Sequence, residues 1–212
     1  MTFICFPFKF DFAKILQLNS ILDKLENVVD KSSIVTDVSS LKRFVCVKKR
    51  SYVFIPSHPM AGTEHSGWDY SFPDMFEGAT WAVTPGAETS NRDLNLLKSV
   101  IEEFGAKIII TTPEEHDLAV ALISHAPMLI AQALCKNIES NKLAQSLASS
   151  GFRDTTRLAL SNIEMANDMI TMNKANIKKA VELLNLNIEK LFDGDYKKEA
   201  EGIKTLRTNL YL

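Results

Sequence analysis

The sequence predicts an α/β fold that gives way to an all-helical one, and three observations carry the prediction. Short β-rich runs alternate with helical patterns up to about residue 112. Beyond that point only helical periodicity remains. The composition, 46% hydrophobic and 24% charged over 212 residues, supplies enough apolar mass for a core and excludes disorder. Strands that alternate with helices imply a largely parallel sheet.

The elements follow in order. Phe3–Phe8 reads as an apolar strand, followed by a helix in which Ile15, Leu18, Leu22 and Leu25 recur at helical spacing. Ile34–Val38 (IVTDV) is a second strand, closed by Ser39 and Ser40. Tyr52–Ile55 is a third, broken by Pro56, and Trp81–Thr84 a fourth, closed by Pro85 and Gly86. Leu94–Phe104 is a helix that stops at Gly105, a natural C-cap, and Lys107–Thr111 is the fifth strand. Helical patterns then fill Glu114 to Cys135, Ser140 to Ser149, Thr155 to Leu160, Ile163 to Leu191 and Lys197 to Leu210. In the fourth of these, Ile177, Val181, Leu184, Ile188 and Leu191 make one apolar stripe. The expected domain boundary is Thr112-Pro113, which separates an α/β part (1–112) from a helical part (113–212).

Charge and cysteine usage narrow the function classes. A formal net charge of −2 and a pI near 6.1 speak against a nucleic-acid or membrane-surface binder, which needs a basic face. No run approaches the roughly 20 uninterrupted apolar residues of a transmembrane helix. Cys5, Cys46 and Cys135 are odd in number and widely spaced, so they read as reduced thiols in a cytoplasmic protein. The first residues, MTFICFPFKFDF, lack the basic leader and cleavage site of a signal peptide. A soluble domain that opens on a fully apolar strand is expected to have lost its neighbours, so an amputated N-terminus is expected here.

Three constellations carry potential chemistry. The first is His58-Pro59-Met60-Ala61-Gly62-Thr63-Glu64, directly after a predicted strand. Carboxyl ends of strands border the ligand crevice of an open α/β sheet, and an imidazole with a pKa of about 6.5 suits proton work there. The alternative is a turn histidine before a proline with only a hydrogen-bonding role. The second is Ser150-Gly151-Phe152-Arg153-Asp154-Thr155-Thr156-Arg157. Gly151 would turn sharply into a helix, with Asp154 near its positive end and Arg153 and Arg157 on one face to clamp a carboxylate. A local Asp154–Arg157 surface pair is the alternative. The third is Glu115-His116-Asp117 with Ser124-His125-Ala126-Pro127, where His125 lies on an apolar helix face and Pro127 would kink the helix. Metal chemistry is not expected, since Cys and His never cluster and no HExxH is present. The eight glycines, at 62, 67, 78, 86, 105, 151, 194 and 202, allow neither GxGxxG nor a P-loop.

In series these motifs are specific. IVTDV with Ser-Ser-Leu-Lys, SHPMAGTEHSG, FEGATWAVTP, EEHD…SHAP and SGFRDTTR…M together resemble the prephenate/arogenate dehydrogenase family of tyrosine biosynthesis, from about Phe3 to the Asn173 region. The resemblance implies a Rossmann-type dinucleotide domain, here only its C-terminal portion, followed by a helical domain that dimerises. It implies NAD as cofactor, with NADP not excluded, and prephenate or arogenate as substrate. The implied reaction is an oxidative decarboxylation in which hydride passes to the nicotinamide, CO₂ departs and the ring becomes aromatic. By motif, His58 resembles the catalytic histidine that accepts a hydrogen bond from the ring hydroxyl, and Ser40 the serine that bonds the same hydroxyl. Arg157 resembles the arginine that holds a substrate carboxylate, with Asp154 and Arg153 beside it. His125 resembles the first histidine of the family's SHLPH motif.

The departures are also specific. The second histidine of SHLPH is Met128 here, the glycines that usually precede GF are Ser149 and Ser150, and a tryptophan common after the downstream Met is Ala166. The family's glycine-rich turn and ribose-binding acid precede the strand at Phe3–Phe8 and cannot be written in this sequence. For cofactor contacts this leaves only strand ends, near Pro7 and Asp37. Such a chain is expected not to turn over NAD⁺ by itself. Against an active dehydrogenase stand an arogenate-preferring enzyme and a non-catalytic dimerising or substrate-binding fragment.

Overall fold

The computed structural model describes residues 3–4, 15–62, 70 and 72–211. Its elements run β1 (Phe3–Ile4), α1 (Ile15–Leu25), β2 (Ile34–Val35), β3 (Val53–Phe54), β4 (Ser57–Pro59), β5 (Thr80–Val83), α2 (Asn91–Glu103) and β6 (Lys107–Ile110). Helices follow: α3 (Pro113–Val120), α4 (Ala126–Asn137), α5 (Lys142–Leu147), α6 (Ser150–Thr155), α7 (Ile163–Met172), α8 (Lys174–Asp193) and α9 (Tyr196–Asn209). Most of the Phe3–Phe8 run, Pro7 included, lies outside the described residues.

The strands form two three-stranded sheets rather than one parallel sheet. In the first, β1, β2 and β3 are parallel, with Phe3 opposite Ile34 and Ile34 opposite Val53. In the second, β5 and β6 are parallel, but β4 runs antiparallel to β5 and sets His58 opposite Ala82. The alternative of a turn at His58 does not hold: the residue sits in a strand of its own. Pro56 and Pro59 hid that strand, because proline reads as a breaker. The second predicted strand is also shorter than Ile34–Val38. Thr36 and Asp37 leave the ladder because their side chains bond elsewhere, Thr36 Oγ1 to Ser57 Oγ at 2.9 Å and Asp37 to Ser39 and Ser57.

Ile34, Ile55, Trp81, Val83, Leu97 and Ile101 form one buried cluster that joins the two sheets to α2. Gly105 ends that helix in the left-handed region, at φ 74°, where a side chain would be strained and a Cβ would meet Glu77 Cγ at 3.2 Å. Thr112 then starts the helical half with a reciprocal cap. Its hydroxyl accepts from the Glu115 amide, and the Glu115 carboxylate accepts from Thr112 in return, with Pro113 at the first helical position.

From Pro113 to Asn137 the chain is one long helix with a π-helical turn, Ala121–His125, inserted before Pro127. Proline has no amide to give the carbonyl four residues back, and its ring crowds that carbonyl. The wider turn relieves both, with the Ala126 amide reaching back five residues to the Ala121 carbonyl. By length and apolarity these 25 residues also satisfy the requirements of a membrane span, which the sequence reading did not anticipate. Buried His116, Asp117 and His125, bonded to residues of other elements, make the span a core helix instead. In α8 the apolar stripe is buried at Ile177 and emerges by Ile188.

Candidate active site

Two halves of the chain meet at a polar network that starts from a buried lysine. Lys42 is fully buried, and its ammonium donates to Asp37 Oδ2 at 2.6 Å and to the Ser57 carbonyl at 2.5 Å. Asp37 Oδ1 accepts from the Ser57 amide, and its main-chain carbonyl accepts from Ser57 Oγ, which also receives the Trp81 indole N–H at 2.9 Å. Burial pulls the Lys42 pKa below the usual ammonium range while Asp37 opposes the shift. The carboxylate of Asp37 is thus spent on fixing β2 against the start of β4. Asp37, one of the two strand-end positions considered for cofactor contacts, is already bonded to Lys42. Ser40 lies half-buried in the loop between, held on one side by Ser39 on Asp37 and on the other by the Lys42 amide on Asp117.

The strand fixed in this way carries His58. Its Nδ1 lies 2.9 Å from His116 Nε2, and His116 Nδ1 lies 2.9 Å from Asp117 Oδ1. Asp117 is anchored in turn by two main-chain amides, Lys42 to Oδ1 at 2.8 Å and Arg43 to Oδ2 at 3.1 Å. The row His58–His116–Asp117 therefore ties β4 to α3 and to the loop after β2. Burial, then the Lys42 ammonium, then His116 and His125 hold the His58 pKa well below the ordinary imidazole value. His58 is neutral at physiological pH, as a proton acceptor must be.

His125 joins the same network from the π-helical turn. Its Nδ1 lies 3.2 Å from Asn173 Nδ2, which also donates to the Asp117 main-chain carbonyl at 2.7 Å. Burial lowers the His125 pKa to about 4, with Asp117 opposing. Met128, one turn on, is buried in a cluster with Leu41, Val120, Ala166 and Met169. Two of the departures from the family pattern, Met128 and Ala166, therefore share one apolar cluster, and Met60 and Leu158 pack against it.

The SGFRDTTR segment differs from its sequence reading. Gly151 lies inside α6 with an ordinary helical φ, so no sharp turn is made there. Asp154 falls near the C-terminal end of that six-residue helix, not at its positive end, and pairs with Arg153 at 3.3 Å on the surface. Arg157 is exposed at the start of a 3₁₀ turn, Arg157–Leu160, that packs on α4, so Arg153 and Arg157 belong to different elements. Among the described residues no group of three His, Cys, Asp or Glu side chains is arranged to hold a metal ion.

Known proteins bear on this geometry. Residues 4–110 match the family model "Prephenate dehydrogenase, nucleotide-binding domain", and residues 112–204 match "Prephenate dehydrogenase, dimerization domain". The chain belongs to the prephenate dehydrogenase family. Prephenate dehydrogenase of Bacillus subtilis is 31% identical over 156 residues, which is 72% of this chain and 42% of that protein. Synechocystis arogenate dehydrogenase is 33% identical with a TM-score of 0.76, covering 98% of this chain and 75% of that one. The prephenate dehydrogenase from A. aeolicus, solved with hydroxyphenyl propionate and NAD⁺, is 28% identical with a TM-score of 0.81, covering 93% and 74%. The chain thus spans less than half the length of its Bacillus relative. Within the family frame, motif likeness marks His58, Ser40, His125 and Arg157. The EEHD motif by itself gives His116 and Asp117 no role, and no motif marks Lys42 or Asn173. Only tertiary distance reveals those partners, since Lys42 and Asp117 are 75 residues apart and His125 and Asn173 are 48 apart.

Proposed function

We propose that this chain serves the oxidative decarboxylation of prephenate to 4-hydroxyphenylpyruvate, with NAD⁺ as hydride acceptor. The single observation that carries the reading is a neutral His58, half-buried in a strand and backed by His116 and Asp117. His58 accepts the hydrogen bond of the ring hydroxyl and takes its proton as the carbonyl develops, an interaction that strengthens toward the transition state. Ser40 bonds the same hydroxyl. Arg157 holds a substrate carboxylate, which guanidinium matches in charge and shape, and His125 contributes a further polar contact. A nicotinamide dinucleotide held by the 4–110 part would supply the hydride acceptor, and aromatisation with loss of CO₂ would make the reaction irreversible.

The residues present suit the substrate side better than the dinucleotide. The spacing of the eight glycines allows no GxGxxG to cradle a pyrophosphate, and Asp37 is bonded to Lys42. We also propose a division at Thr112-Pro113 into dinucleotide-binding and helical parts, a cytoplasmic location, and a homodimer formed through the helical part. Large exposed apolar side chains support the dimer, including Leu186 at 60%, Phe192 at 78%, Leu160 at 83% and Ile163 at 81%.

A second reading, arogenate as substrate, draws support from the likeness to the Synechocystis enzyme. The experiment is a comparison of prephenate and arogenate, each with NAD⁺ and NADP⁺, by the absorbance of reduced nicotinamide, in the chain joined to a family glycine-rich dinucleotide-binding segment. Preference for prephenate with NAD⁺ is expected, and a larger kcat/KM for arogenate sinks that assignment in favour of the second reading. Binding of either substrate with no turnover under any pairing favours a non-catalytic module.

A further inference from the structure

We propose that Asp117, His116 and Asn173 hold His58 and His125 in opposite neutral tautomers, so that His58 presents a bare Nε2 acceptor and His125 an Nε2–H donor. The assignment follows from groups whose hydrogen-bonding roles are not free to change. An ionised Asp117 carboxylate can only accept, so His116 Nδ1, 2.9 Å from Oδ1, carries the proton. With that proton as the only one on the ring, His116 has its lone pair on Nε2, and the atom facing it at 2.9 Å, His58 Nδ1, is the donor. His58 is left with an unprotonated Nε2.

The second assignment starts from a main-chain carbonyl. The Asp117 carbonyl oxygen accepts at 2.7 Å, which fixes the atom opposite as Asn173 Nδ2 and not its oxygen. The Asn176 amide nitrogen, 2.9 Å from Asn173 Oδ1, agrees with that orientation. The second proton of Nδ2 points to His125 Nδ1 at 3.2 Å, which therefore accepts. The proton of neutral His125 is on Nε2. The row His58–His116–Asp117–Asn173–His125 thus sets both rings, through the side chain of Asp117 on one branch and its main-chain carbonyl on the other. A hydroxyl that loses its proton and an oxygen that carries negative charge need these two complementary nitrogens, so Asp117, His116 and Asn173 are positioning residues. The proposal deepens the substrate reading above and rests on it only for what the two rings meet.

The test reads the rings directly. Four histidines make the ¹⁵N long-range correlation spectrum of the labelled chain tractable. At pH 7.5 His58 should show a pyrrole-type Nδ1 and a pyridine-type Nε2, and His125 the reverse. Asp117→Asn should move the His58 nitrogens toward the other tautomer or an average while those of His125 stay in place, because the main-chain carbonyl is untouched. The same tautomer on both rings, or a His58 spectrum that ignores Asp117→Asn, overturns the proposal. If the variant does not fold, the spectrum of the unaltered chain still decides. Opposite tautomers in a protein that, once joined to a family glycine-rich dinucleotide-binding segment, turns over neither prephenate nor arogenate would support this assignment and defeat the function reading, whereas full activity with a pyrrole-type His58 Nε2 would do the reverse.

Discussion

In the proposed reaction His58 acts as a neutral ring, and its surroundings set the pH range in which it can. Protonation would occupy the lone pair proposed to accept the substrate proton. Because the pKa is held well below 6.5, the loss of activity on acidification should come only below that value. The profile of kcat/KM is expected to be flat through neutrality and to fall as pH drops further. An inflection at or above 6.5 would mean that Lys42 and burial do not act on His58 as the geometry implies. Arg157 makes a different kind of contribution. Arg157→Ala should raise KM for prephenate by a factor corresponding to about 1.5–3 kcal/mol, the worth of a charge-assisted contact, with a smaller effect on kcat. An unchanged KM with a lower melting temperature would make Arg157 a surface structural residue. The sequence showed these side chains by motif. It could not show that Asp154 pairs with Arg153, because six residues of helix had to form around Gly151 before their faces were set.

Elements, rather than single residues, place the site. Strand β4 is only three residues long, preceded by Pro56 and ending on Pro59, and it keeps its position because Asp37, Lys42 and Ser57 lock it to the end of β2. Removing the cation leaves a buried carboxylate without its partner. Lys42→Met should therefore cost about 3–5 kcal/mol of stability by urea unfolding, and Asp37→Asn added to it should recover part of the loss. A Lys42→Met variant of unaltered stability would contradict the lock. Local patterning foresaw the stop at Gly105 and the helical part after Thr112-Pro113, because caps are written in adjacent residues. It read Ile163 to Leu191 as one helix where α7 and α8 meet at Asn173, and it missed α6. The antiparallel strand and the π-helical turn were not legible. One depends on a partner strand more than twenty residues away, and the other on how the chain accommodates Pro127.

At the scale of the molecule, two histidines kept neutral by burial make the fold acid-sensitive. Unfolded, His125 takes up a proton near 6.5, but folded it does so only near pH 4. The unfolded state thus binds more protons between those values, and stability falls as pH drops through that window. The loss is on the order of 1 kcal/mol per pH unit for each such histidine. Thermal melts at pH 7 and pH 5 should show the decline, and equal melting temperatures would speak against buried neutral rings. The exposed apolar side chains of α7 and α8, with Leu118, Leu122 and Ile123 on the long helix, predict a dimer by sedimentation. A monomer at micromolar concentration would leave that surface unexplained. The whole account turns on His58 as the acceptor of the substrate proton, and steady-state kinetics of His58→Asn with prephenate, read by NADH absorbance in the active enzyme, test it most directly. A kcat lower by about 10²–10⁴-fold with KM little changed is the predicted result, and turnover within a few-fold of the unaltered enzyme would contradict it.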